Sequence, residues 1–413
     1  MQFIDLCIIS GMNISSLFSI ITVLSGSALE YYDYMLFAFM TPIIAPIFNG
    51  PADSLTVLKS GYLVIFLGAL MRPIGGLIIG YVGDKKGRNV ALFWSMTIMA
   101  ASSFLIAFLP SYAQIGAWAV FFLFLCRMAQ TMSAAGELNG AAIFLIEMLE
   151  EPEKRSKKGF ASGLAWCFTV LGMFGGTVAG YHSTAESWKW AFMLGGLIGL
   201  FAILLRLIPK AAHGAASVQS KKRENFNFVR SVTASILLAA GLSGMFYYNM
   251  IFLNGYWQVQ YDSVVVRQYY MYYFLVYAFS LLFAGVISDF LKKKYRMMLF
   301  ACLAITVLGV PTIIYGNLNF HFINVFVLAL YVGPSHAILF DLFPREYRYR
   351  GVSTAYSIGT SVSGGATCYI CTHLAKYGQD AGCAYYPVFW LVFVAMLAFI
   401  GVYIGRHALV ESK

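Results

Sequence analysis

The sequence predicts an all-α polytopic membrane protein, with twelve transmembrane helices arranged as two parallel six-helix repeats. Three observations carry that prediction: apolar stretches of membrane-spanning length, a one-sided distribution of cations, and a loop motif that occurs twice. With 60% hydrophobic and only 11% charged residues and a mean hydropathy of +0.73, the 413-residue chain cannot dress a surface of ordinary size for water, so its solvent is lipid.

A hydrocarbon core of roughly 30 Å needs about 20 apolar residues at helical rise. Such stretches fall at 17–46, 60–82, 90–109, 115–146, 159–181, 189–208, 231–257, 270–287, 297–316, 321–341, 352–373 and 386–407. The first and fourth exceed the need and are expected to tilt, kink or protrude. Backbone groups in lipid must bond internally, so these runs are helices, and no strand is expected.

The net charge of +10 would in a soluble protein suggest a nucleic-acid partner. Its distribution excludes that reading. With the N-terminus placed in the cytoplasm, 22 of the 28 Lys and Arg fall in inner loops and tails, while Lys59, Lys189, Arg267 and Lys376 stand alone outside and Arg72 and Arg127 lie within spans. This is the positive-inside pattern, and it puts both termini in the cytoplasm. No cleavable signal peptide is expected at Met1 to Ser16, and the first helix itself would direct insertion. Seven cysteines, mostly within spans, read as small buried apolar residues, with an outer bridge among Cys368, Cys371 and Cys383 as the alternative.

The longest cytoplasmic connection divides the chain into residues 1–208, a linker 209–230 and residues 231–413. Corresponding loops carry corresponding residues. Gly80-x-x-Gly83-Asp84-Lys-Lys-Gly-Arg88 after span 2 is answered by Gly285-x-x-Ser-Asp289 and three lysines after span 8. Glu147, Pro152 and Lys158-Gly159 after span 4 are answered by Asp341, Pro344 and Arg350-Gly351 after span 10. Matching loops on the same side mean parallel repeats, related by an axis along the membrane normal. Gly80 and Gly83 let helix ends approach closely, and Asp84 can face the N–H groups of a helix N-terminus or pair with Arg88 in solvent. Together with Asp289, Asp341 and Arg348, these residues are expected to gate conformation rather than touch a ligand.

The Gly80–Arg88 string resembles the loop between helices 2 and 3 of the major facilitator superfamily, and the resemblance covers nearly the whole chain. Ala28-Leu-Glu30-Tyr-Tyr-Asp33-Tyr34, Arg72-Pro73-Ile-Gly-Gly76, Arg127-Met-Ala-Gln130 with Gly136-Glu137, and Asp341-Leu-Phe-Pro344-Arg-Glu-Tyr-Arg348 are similar to its metabolite:proton symporter branch, which includes bacterial proline/betaine transporters and carriers of oxo- and hydroxy-acids. The resemblance implies helices around a central cavity lined by spans 1 and 4, transport driven by a proton gradient, and a bacterial inner (cytoplasmic) membrane. Osmosensing members carry a C-terminal coiled coil that His407 to Lys413 do not supply, so osmotic activation is not expected.

Ionisable residues inside a bilayer cost several kcal/mol and normally face a cavity or a partner. Glu30, Asp33 and Glu137 are therefore the proton-coupling candidates, with Glu30 and Asp33 not separable from sequence. Arg127 is expected opposite them, holding their charge or binding a substrate carboxylate, and Arg72 beside Pro73 is expected to brace span 2. Tyr34, Gln130, Trp166, Tyr247, Tyr248 and Asn249 complete the binding candidates. Their aromatic faces would suit an ammonium and Arg127 a carboxylate, which favours a zwitterion such as proline or betaine over a di- or tricarboxylate; interfacial aromatics are the plainer explanation.

An enzyme is not expected, because the histidines are scattered and no nucleophile, H-E-x-x-H or phosphate-loop motif occurs. Neither cofactor nor metal is required beyond the proton gradient, and the expected partners are a small-molecule substrate, protons and the lipid bilayer around a monomer. A receptor of the same fold is the alternative from another class, though the longest cytoplasmic segment is too short for an effector domain.

Overall fold

The computed structural model describes residues 14–50, 53–86, 88–134, 137–149, 156–206, 226–314 and 318–411. Among them every regular element is helical. The first half holds α1 (Ile14–Phe48), α2 (Ser54–Ala69), α3 (Arg72–Lys86), α4 (Arg88–Phe108), a single turn α5 (Tyr112–Ile115), α6 (Trp118–Ser133), α7 (Glu137–Leu149), α8 (Lys158–Tyr181) and α9 (Trp188–Arg206). The second holds α10 (Phe228–Tyr247), α11 (Leu253–Gln260), α12 (Ser263–Leu291), α13 (Lys294–Ile314), α14 (Leu318–Val332), α15 (Ser335–Leu342), α16 (Arg345–Gly359), α17 (Gly365–Asp380) and α18 (Tyr386–Glu411). Most of the expected linker lies outside the described residues.

All twelve expected spans coincide with helix, and the structure adds where they are broken. Span 2 is α2 then α3, span 4 is α6 then α7, and span 10 is α14 then α15. Pro73 sits in the first turn of α3 and Pro334 just before α15, positions where a missing N–H costs nothing. Spans 7 and 11 each contain a π-helical turn, Tyr248–Phe252 between α10 and α11 and Thr360–Gly364 between α16 and α17. The over-long first span is one helix running through Pro42 and Pro46. Nine helices among the described residues are long and apolar enough to cross a membrane, and Phe93–Phe108 and Trp188–Phe201 are shorter apolar helices.

Packing follows the repeat. α1 packs on α8 and α9, and α4 on α6 and α9; correspondingly α10 packs on α16 and α18, and α13 on α14 and α18. The halves meet along two seams, α8 with α12 and α2 with α17. The first seam is so close that a Cβ on Gly163 would stand 2.6 Å from the Leu281 carbonyl oxygen, and one on Gly285 would collide with that of Gly159. Lipid supplies no hydrophobic drive between helices, so close backbone approach at small residues holds such a seam. The six cysteines in the described set are all free, Cys368, Cys371 and Cys383 included.

Candidate functional site

Between the halves lies a small central cavity of about 30 Å³, roughly the share of one water molecule. Tyr31 and Tyr34 of α1, Arg72 of α3, and Trp166 and Met173 of α8 line it from one half. Leu242, Ser243, Phe246 and Tyr247 of α10, Tyr356 of α16 and Thr360 of the second π turn line it from the other. Tyr34 and Tyr247 meet edge to face across the divide, their rings 6.2 Å apart. The wall is thus aromatic with a single guanidinium, and the Tyr34 hydroxyl has no hydrogen-bond partner.

That guanidinium is paired. Arg72 Nη2 donates to Glu30 Oε1 at 3.4 Å and to the Ala134 carbonyl at 3.4 Å. The second arginine is arranged differently. Arg127 Nη1 donates to Gln130 Oε1 at 2.6 Å, and Gln130 Nε2 donates to Asp33 Oδ2 and to Ser103 Oγ, the latter at 2.9 Å. Gln130 therefore stands between cation and acid. Arg127 lies over the Phe37 ring at 4.2 Å and the Tyr34 ring at 5.5 Å, where the ring faces offset part of its desolvation. Asp33 Oδ1 has no hydrogen-bond partner and points at α9, where a Cβ on Gly195 would come within 2.9 Å of it.

Both ends of the cavity are closed by contacts between halves. At the end carrying the basic loops, Asp289 accepts from the Gly159 and Phe160 N–H groups at 2.9 and 2.8 Å. One carboxylate of the second half thereby caps α8 of the first, satisfying N–H groups that no intrahelical acceptor reaches. Asp341 binds Lys158 at 2.8 Å and Lys294 at 3.2 Å, and Arg348 binds Glu147 at 3.2 Å. At the opposite end Tyr62 donates to the Ile251 carbonyl of the first π turn at 3.0 Å. Lys376 binds Asp53 at 3.1 Å, and Lys59 meets His373 Nδ1 at 3.1 Å.

A family model for the Major Facilitator Superfamily matches residues 23–367. The chain belongs to the major facilitator superfamily. Its relatives include the citrate-proton symporter of Klebsiella pneumoniae, 28% identical over 96% of this chain and 93% of the relative. The putative proline/betaine transporter of Staphylococcus haemolyticus is 25% identical over 91% of this chain and 84% of the other. The proline/betaine transporter of Salmonella typhimurium is 25% identical, covering 91% and 80%. Among solved structures, a D-xylose-proton symporter superposes with a TM-score of 0.71 at 13% identity, over 96% of this chain and 99% of that one; at that identity the likeness is one of fold.

In this superfamily fold the candidates from sequence separate into groups. Tyr34, Trp166 and Tyr247 line the cavity. Arg127 and Gln130 do not; they sit with Asp33 behind the cavity wall, among α1, α4, α6 and α9. Glu30 and Asp33, expected to share a partner opposite Arg127, have different ones. Three residues on a helix differ by about 60° in direction, enough to turn Glu30 towards α3 and Asp33 towards α6. Arg72, expected only to brace span 2, bonds Glu30 of α1 and the Ala134 carbonyl and also lines the cavity. Tyr248 is fully buried and stands against Phe252. Asn249 Nδ2 donates to the Met245 carbonyl of its own helix at 2.9 Å, while its backbone carbonyl accepts from Tyr270 at 3.0 Å; neither Tyr248 nor Asn249 lines the cavity. Glu137 opens α7 and is half-buried. Asp289, Asp341 and Arg348 bridge the halves, whereas the side chains of Asp84 and Arg88 and the contacts of Gly80 and Gly83 lie outside the described residues. Sequence reasoning passed over Tyr31 and Tyr356, which line the cavity, and Gly159-x-x-x-Gly163, whose spacing is itself a membrane helix-packing signal.

Proposed function

We propose that this chain is a proton-coupled symporter that imports a small zwitterionic metabolite by alternating access, in a bacterial cytoplasmic membrane with the basic loops inside. The observation that carries the reading is Arg72, paired with Glu30, in the wall of an aromatic cavity. A substrate carboxylate would replace Glu30 on Arg72, and an ammonium would take up the released Glu30 charge and the faces of Tyr31, Tyr34, Trp166 and Tyr247. A site with one cation and one anion balances a zwitterion; a tricarboxylate would leave most of its charge uncompensated.

Asp33 is the proposed proton carrier. It is buried, bonded through one oxygen only, and held beside Arg127 by Gln130, so its charge matters to the packing of four helices without blocking the binding site. Asp289, Asp341 and Arg348 are proposed to hold the cytoplasmic closure, and their counterparts Gly80, Gly83, Asp84 and Arg88 to act in the symmetry-related loop. Proline/betaine transporters among the relatives support the zwitterion.

A citrate-proton symporter among the relatives supports a second reading, an organic-acid symporter. Counterflow of labelled betaine and proline in proteoliposomes, challenged with a panel of zwitterions and di- and tricarboxylates, separates the two. Inhibition by zwitterions is expected. Exchange that only the acids compete for would replace the first reading with the second, and binding without exchange would make the chain a receptor.

A further inference from the structure

His336 lies at the heart of the contact between the halves on the side of the cavity nearest the basic loops, and nothing in the transport reading above uses it. Its ring is 5.3 Å from Trp166 and 5.5 Å from Tyr356, two residues that line the cavity, and it is 1% exposed. Around it the seam is zipped by hydroxyls. Ser162 of α8 donates to the Gly333 carbonyl at 2.5 Å and accepts the His336 N–H at 3.1 Å, while Trp166 Nε1 donates to Ser335 Oγ at 3.1 Å. The imidazole reaches across to the first half itself, with Nε2 3.0 Å from Asn139 Oδ1.

An amide oxygen accepts, so Nε2 carries the proton in this arrangement and Nδ1 is bare. Nδ1 is buried without a partner. A second proton there would have no acceptor, and its charge no counter-ion. Of the groups facing the ring, Asn139 of α7 and Ser162 and Trp166 of α8 are neutral, and Tyr356 of α16 is the one titratable side chain. Among the described residues, no charged side chain of α10 or α18 is hydrogen-bonded to the ring, and Asp341 farther along α15 is held by Lys158 and Lys294.

We propose that His336 is a proton-binding site of the cytoplasmic closure: the neutral ring ties α15 to α7, and protonation at Nδ1 releases the seam and opens the cavity inward. The proposal rests on the transport reading in requiring a closure that opens, and its test therefore reads the closure and not uptake. Phe340, which packs under Arg348 and Lys158 between the halves, is replaced by cysteine in an otherwise cysteine-free full-length chain in proteoliposomes. The rate of thiol labelling from the cytoplasmic face is followed, without substrate, from about pH 8 to about pH 5.5, the range in which an imidazole released into the hydrated, opened seam takes up its proton.

Labelling should rise roughly fivefold or more on acidification with His336 present and stay flat in His336→Gln, whose amide can still donate to Asn139. An equal rise in His336→Gln, or no rise with His336, overturns the proposal. Should His336→Gln fail to reach the membrane, Asn139→Asp carries the test. A carboxylate there would hold the imidazolium in the closed seam, so the rise should be lost, and an unchanged rise overturns the proposal equally. Failure of zwitterion uptake with an intact labelling response would count against the substrate reading alone.

Discussion

Two acid–arginine groups sit within one helical turn of each other on α1 and differ in what surrounds them. Glu30 and Arg72 touch directly, and Arg72 forms part of the cavity wall. Asp33 and Arg127 are separated by Gln130 and enclosed by helices of one half. A cation that must exchange its partner for a ligand belongs where the ligand arrives. An acid that must change charge without meeting the ligand belongs behind the wall, where removal of water makes each protonation state select a packing arrangement. On the function proposed above, the difference divides binding and coupling between neighbouring residues on one helix, and that division can be broken by perturbing each group alone.

The largest effect is expected at Asp33. Asp33→Asn fixes the neutral form while keeping the shape and an acceptor for Gln130, so accumulation driven by an imposed pH gradient should fall by roughly two orders of magnitude, while counterflow, which needs no net proton movement, persists. Accumulation with unchanged coupling would remove Asp33 from the proton path and dissolve the division between the two groups. Arg72→Gln comes next. It withdraws the cavity's charge-assisted donor, worth about 1.5–3 kcal/mol, so half-saturation in counterflow should rise roughly 10- to 100-fold. The pH dependence of accumulation should stay as it was. Arg72→Gln also leaves Glu30 beside a neutral partner, so Glu30→Gln combined with Arg72→Gln separates lost binding from the cost of an unpaired buried acid.

Much of this was legible in the sequence, and for identifiable reasons. Spans follow from length and apolarity, and repeat order from Asp84 with Asp289 and Glu147 with Asp341, because loops that meet water keep charged residues at readable positions. Partner choice inside the membrane was not legible. Glu30 and Asp33 at a spacing of three look like one stripe, yet their angular offset sends them to different helices. Arg72 next to Pro73 reads as a brace within a continuous span 2, and only the break between α2 and α3 turns it into the cavity. The π turns at Tyr248–Phe252 and Thr360–Gly364 contain no proline to announce them, so Asn249 looked like a cavity residue although its side chain bonds back to the Met245 carbonyl of α10. His336 read as one of several scattered histidines until Asn139, from the other half, was brought beside it.

The smallest effect is expected at Asp53, and it tests whether burial is what gives the two α1 groups their weight. Asp53 and Lys376 also join the halves, but their side chains are 57% and 44% exposed. The hydroxyl and backbone N–H of Thr56, with help from Lys376, hold the Asp53 carboxyl down at about 2. A depressed carboxyl contributes fully above its ordinary range and loses its contribution as pH falls through the depressed value, so Asp53 stays charged throughout the range in which such a transporter works. Water and salt screen an exposed pair, and Asp53→Asn keeps the cap on α2 through its amide oxygen. Uptake measured against external pH should therefore run parallel for Asp53→Asn and the parent chain, with rates within about twofold. Curves that diverge between pH about 5 and about 8 would mean that an exposed pair is titrating as a lock on the outer closure, and desolvation could then no longer be the property that distinguishes Asp33 and Arg72 from the other charges bridging this fold.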